Sequence, residues 1–126
     1  MADDGPAERI TGIGGIFFRS RDPKALGKWY RAHLGVPVDE AGHAVIAESR
    51  NTVWSPFTAD TDYWPADKEL MVNFTVRDLD AMLAQLRAAG VEVDDKVEEM
   101  EFGRFGWAQD PEGNRIELWQ PLGPAA

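Results

Sequence analysis

The chain states nearly the same segment twice, and that repeat constrains its fold more than any other feature. SRDPKALGKWYRAHLGVPV, residues 20–38, aligns with VRDLDAMLAQLRAAGVEV, residues 76–93. The alignment lays Arg21-Asp22 over Arg77-Asp78 and Gly35-Val36 over Gly90-Val91, with one extra residue in the first copy. Whatever this segment builds, the chain builds it twice.

Each copy reads as a helix. Asp22 and Asp78 are N-cap candidates whose side-chain oxygens accept from the free amides of a first helical turn, and Pro23 suits the first helical position. Leu26, Tyr30 and Leu34 then form one apolar stripe, and Leu79, Met82, Leu83 and Leu86 the other. Gly35 and Gly90 predict left-handed C-caps, so both helices should end there. An alternating run precedes each helix: IGGIFFRS, residues 13–20, and LMVNFTV, residues 70–76. Both predict strands with one strongly apolar face.

Further strands are expected after each helix, at 44–48 and 52–55 in the first half and at 91–97, 103–108 and 114–120 in the second. Asp110-Pro111-Glu112-Gly113 is a turn sequence, with Pro and Gly at the positions that suit them. The unit is therefore βαβββ, twice. One α+β domain over 1–126 is expected, with modules at about 10–56 and 69–121. Their concave mixed sheet would carry its helices on the outer face. Residues 57–68 join them; Phe57, Tyr63 and Trp64 in and beside that linker are too apolar for open solvent and should pack over a pocket, against another subunit or into the core. The acidic run EVDDKVEEME, 92–101, reads as a solvated edge or loop.

Composition excludes several functions. There is no cysteine, so thiolate nucleophiles, disulfides and Cys-ligated zinc are ruled out, and two histidines cannot make a His-rich metal centre. His33 and His43 both fall at peripheral positions that suggest neither ligand nor triad member. A net charge of −9, with scattered basic residues, argues against nucleic acid. No run approaches the ~20 apolar residues a membrane span needs, and the N-terminal residues lack a signal-peptide layout, so a cytoplasmic protein is expected.

The two βαβββ units, RDPKALGKWYRAHLG, VRDLDAMLAQLRAAGV and the closing DPEGNRIELWQP together resemble the vicinal oxygen chelate superfamily over roughly residues 10–121. That group includes glyoxalase I, extradiol dioxygenases, fosfomycin-resistance transferases and bleomycin-resistance binding proteins. The resemblance implies four inward positions where metal-dependent members hold ligands. Here those positions are Gly15, Trp54, Met71 and Glu117. Only Glu117 is a ligand type, and one carboxylate offers a divalent ion little beyond water. No metal is expected at the usual place.

By strand phase, Phe17, Arg19, Trp54, Asn73, Thr75, Glu117 and Trp119 face the inner side and form the expected ligand-binding set. Trp107 reads as core. Glu117 is the one catalytic candidate, as a general acid or base if apolar neighbours desolvate it, or a structural partner of Arg19 or Arg115. Two functions stay open. The first is a metal-free protein resembling bleomycin-resistance proteins, binding an aromatic or cationic small molecule in an aromatic-lined cleft. The second is a lyase or dioxygenase-type enzyme with a degenerate divalent-metal site, or with Glu117 as base. The resemblance also implies a homodimer. A third reading is an interaction module whose inner face is filled by its own side chains.

Overall fold

The computed structural model describes residue 7 and residues 16–47 and 52–122. Its elements are helix α1 (Pro23–Leu34), strand β1 (Val72–Thr75), helix α2 (Leu79–Ala88), and strands β2 (Glu92–Val93), β3 (Glu98–Met100), β4 (Gly103–Gln109) and β5 (Arg115–Pro121). The fold is α+β, a mixed open sheet with two helices. Both helices form where the repeat places them, and for the expected reasons. Asp22 Oδ1 accepts from the Ala25 amide and Asp78 Oδ1 from the Ala81 amide. α1 ends on Gly35 at φ 70°; α2 is capped by Ala89, and Gly90 takes the left-handed turn one residue later at φ 80°.

The sheet runs β1-β5-β4-β2, with β3 also paired to β4. β1 lies parallel to β5, while β4 is antiparallel to β5, β2 and β3. α2 covers one face. Leu79, Leu83 and Leu86 pack there on Ala108, Ile116 and Leu118, and Gly106 leaves room for Leu79 and Leu83 to approach the sheet. Residues 91–97, expected as one strand, divide: β2 ends at Val93, and Asp94 turns the chain by accepting from the Lys96 amide through Oδ1. The acidic run thus becomes two short edge strands around a turn, where its carboxylates meet solvent.

The first half departs further from expectation. Residues 16–20 and 52–55 carry no strand, and Ala44 makes only an isolated bridge to Val38; Gly15 and Glu48 lie outside the described residues. Among the described residues all five strands come from 72–121, and the described part of the first unit does not mirror that sheet. Alternation alone does not make a strand, because its amides and carbonyls need a partner edge. What the first half does supply is α1, docked by side chains of the 110–114 turn. The Tyr30 hydroxyl donates to buried Asp110 at 2.8 Å, and Glu112 accepts from the Ser20 hydroxyl and the Arg21 and Asp22 amides. Gly27 lets the following loop close on α1: a Cβ there would lie 2.8 Å from Gly42 Cα and 2.9 Å from Val38 Cγ1. Among the described residues, no helix is long and apolar enough to cross a membrane.

Candidate functional site

The face of the sheet turned away from α2 carries the chemistry. Register sets it: Asn73, Glu117 and Trp107 lie side by side across β1, β5 and β4, and the next row of that face is Thr75, Trp119 and Phe105. Because successive strand residues point to opposite faces, the apolar Ile116 and Leu118 that enter the core oblige Glu117 and Trp119 to point the other way. The sequence pattern and the register agree here.

Glu117 is 8% exposed, and its carboxylate is held by neutral donors. Oε1 accepts from the Asn73 amide at 2.8 Å; Oε2 accepts from the Tyr63 hydroxyl at 2.5 Å and from the Trp107 indole N–H at 3.1 Å. Asn73 and Trp107 are fixed by the strands beside β5. Tyr63 comes from the linker, a stretch without helix or strand, and lays its ring edge-on to Trp107 at 6.1 Å. Burial, then the Glu117 hydrogen bond and charge, push the Tyr63 phenol well above its ordinary range, so it remains a donor at neutral pH. Phe57 lies 5.6 Å from Tyr63 and 5.1 Å from Trp64, whose indole donates to the Lys68 carbonyl at 3.0 Å. The three linker aromatics thus pack on one another, and Tyr63 packs over the acid.

One row along, Trp119 and Phe105 stack at 5.8 Å with their planes 4° apart, and the Trp119 indole donates to the Phe102 carbonyl at 3.0 Å. Trp119 and Phe105 are half-buried, so this flat aromatic pair keeps some exposure beside a buried acid. Such a surface suits a planar or cationic group.

Of the residues expected to line the site, Asn73, Thr75, Glu117 and Trp119 come together on β1 and β5. Phe17 at 92% exposure, Trp54 at 79% and exposed Arg19 do not join them. The strand phases that aimed these three inward belong to segments whose described residues, 16–20 and 52–55, carry no strand. Arg19 instead lines a cleft of about 290 Å³ with Ser20, Arg21, Lys68 and Glu112. Nor does Arg115 pair with Glu117. It reaches Asp94 at 3.3 Å and lies over the Trp107 ring at 5.2 Å. Another cleft, of about 400 Å³, opens on the helix side near Leu34, Phe74 and Met82.

Sequence reasoning does not find Trp107 and Phe105 as partners of the site, and it reads Tyr63 only as a linker aromatic that packs over a pocket, against another subunit or into the core. For Trp107 and Phe105 a signal exists: GRFGWAQ alternates large Phe105 and Trp107 with small Gly106 and Ala108, which puts the large pair on one face and leaves the small pair under α2. For Tyr63 the apolar character of the linker signals burial, but not the partner, since its reach across 54 positions to Glu117 is a tertiary fact.

The metal implied by the resemblance does not fit this donor set. Met71 and Trp54 supply no hard ligand, Gly15 lies outside the described residues, and three of the lone-pair positions on Glu117 already accept from O–H or N–H groups. Among the described residues, no three of the His, Asp and Glu side chains gather to hold an ion.

Comparison with known proteins converges on one fold. A family model described as a glyoxalase-like domain matches residues 15–119. None of the curated proteins compared matches the chain. Among solved structures, TnmS3, an antibiotic binding protein from Streptomyces sp. CB03234, is 26% identical, with a TM-score of 0.51 over 81% of this chain and 88% of its own. A member of the glyoxalase/bleomycin resistance protein/dioxygenase superfamily from Sphaerobacter thermophilus is 22% identical, with a TM-score of 0.50 over 81% and 90%. A glyoxalase family protein from Bacillus cereus is 34% identical, with a TM-score of 0.41 over 54% of this chain and only 48% of its own length.

Proposed function

Given that this chain belongs to the glyoxalase-like domain family, we propose that it is a metal-free binding protein for an aromatic or cationic small molecule. The observation that carries this reading is the sheet face itself: a buried Glu117 held by neutral donors, next to the half-exposed Trp119–Phe105 stack. The carboxylate offers acceptor oxygens to a ligand donor that replaces one of its O–H or N–H partners, and the stacked pair supplies area for a ring. The similarity to an antibiotic binding protein is compatible with such a role.

Thermal melts and Trp emission in the presence of a panel of planar aromatic and quaternary-ammonium compounds test the reading. A binder should raise Tm and quench emission, and Trp119→Ala should weaken both effects. A broad panel that moves neither signal would remove the proposal. Elemental analysis should find no stoichiometric divalent ion; finding one would favour the enzyme alternative, in which Glu117 serves a degenerate metal site.

We also read the exposed apolar residues of the first half, among them Phe17, Val45, Val53 and Trp54, as surface that a second copy covers. A homodimer accounts for that exposure. Sedimentation should then give twice the 14.0 kDa chain mass, and a monomer at micromolar concentration would contradict it.

A further inference from the structure

The three donors on Glu117 are not equivalent. Asn73 and Trp107 are built into strands hydrogen-bonded to β5, whereas Tyr63 hangs from a segment with no helix or strand and uses only its own side chain to reach the acid. Its ring sits in a slot made of aromatic surface, tilted 33° against Phe57 and edge-on to Trp107 at 87°. At the hydroxyl end of the ring stands Glu117 Oε2, which accepts from the Tyr63 hydroxyl and from the Trp107 indole N–H. The slot therefore selects two properties at once: a six-membered aromatic ring, and a hydroxyl donor aimed at a carboxylate oxygen.

Resting on the binding function proposed above, we propose that Tyr63 is the resident occupant of the Glu117 subsite and that the protein's ligand is an aromatic compound bearing a phenolic hydroxyl, which takes over the Tyr63 contacts. This makes Tyr63 a specificity-determining residue. A ligand whose ring lacks a donor would leave Glu117 Oε2 short of a hydrogen bond, and a buried charged acceptor deprived of its partner disfavours that complex. An aliphatic alcohol would satisfy the acid and forfeit the ring contacts. Displacing Tyr63 also lifts the 57–64 segment, so ligand entry and segment movement are one event.

Tyr63→Ala supplies the test, because it opens a slot shaped like the side chain removed. p-Cresol is that side chain as a free molecule, and toluene is the same ring without the hydroxyl. Titrated against Trp emission and Tm, p-cresol should bind the variant about tenfold more tightly than toluene, and about tenfold more tightly than it binds the wild-type protein. Adding Glu117→Gln should erase most of the preference over toluene. In the wild-type protein, saturating p-cresol should accelerate amide exchange at 57–64.

Equal binding of p-cresol and toluene to a folded Tyr63→Ala protein, or slower exchange at 57–64, overturns the assignment. Should that variant fail to fold, Tyr63→Phe keeps the ring and removes the competing hydroxyl; p-cresol should then bind several-fold more tightly than to wild type, and unchanged affinity overturns the assignment. The two proposals fail separately. If panel compounds bind wild type while Tyr63→Ala ignores p-cresol, only the Tyr63 assignment falls. If Tyr63→Ala takes p-cresol while wild type binds nothing, the binding function falls and Tyr63 is a structural plug.

Discussion

The two halves of this chain carry one pattern and meet different fates. In the second, Ile116 is 1% exposed and Glu117 8%; laying NTVWS, residues 51–55, on NRIEL, residues 114–118, sets Val53 and Trp54 over them, and these are 72% and 79% exposed. Phe18 is 51% exposed, while its counterpart Phe74 packs against the buried core. The difference lies in partners. β1 and β4 flank β5 and give its backbone two hydrogen-bonding edges, whereas among the described residues of the first half the pairing is a single bridge, Val38 to Ala44. A repeated sequence repeats its local preferences, and a sheet also requires that neighbours be in place.

The sharpest test of that contrast is truncation of one large apolar residue in each half. Leu118→Ala should cost about 2–5 kcal/mol in urea unfolding, while Trp54→Ala in the same dilute protein should stay within about 0.5 kcal/mol. A large cost at Trp54 that grows with protein concentration would mean a second copy buries it. Glu117→Ala comes next. It strands the Tyr63, Asn73 and Trp107 donors and should cost about 2–3 kcal/mol by the same assay. Gly27→Ala probes a tightly closed place in the first half; overpacking against Gly42 and Val38 should cost about 1–3 kcal/mol, and a neutral outcome would mean the loop is not held against α1.

A smaller effect is expected from pH. Tyr63 and Tyr30 both have phenols raised above their ordinary value, Tyr30 by burial and then by its bond to Asp110. A group whose folded pKa is raised stabilises the fold fully below its unfolded pKa, here about 10, and loses that contribution as pH climbs from there toward the folded value. Melts from pH 9 upward should show falling Tm. Tyr63→Phe and Tyr30→Phe should each cost about 1 kcal/mol at pH 7 and flatten the alkaline decline; a decline unaltered in both variants would place its origin elsewhere. Smallest of all is Asp80→Ala, which removes one exposed partner of Arg104 and should leave the unfolding midpoint where it was.

Much of the second half was legible. The Asp caps, the apolar stripe of α2 and the alternation around Glu117 each depend on residues within one or two turns of each other, so their geometry is written locally. Legibility stopped at two kinds of residue. Trp107 reads as core because aromatic residues in a small domain usually are; it is buried, and yet its indole N–H is spent on Glu117. Phe17, Arg19 and Trp54 were assigned to the inner face by strand phase, and phase has meaning only once a strand exists. The acidic residue in RIELW is readable as inward-pointing, but not its partners: apolar desolvation and an arginine pair are both open from the sequence, and the partners are a phenol, an amide and an indole.

The sequence by itself determined the helices, their ends, the α+β class and the side of β5 on which Glu117 stands, because capping, periodicity and alternation act over a few residues. Tertiary structure alone decided what Glu117 touches and which half completes a sheet. Both depend on groups far apart in the chain: Tyr63 and Asn73 reach Glu117 from 54 and 44 positions away, and no local rule carries that information.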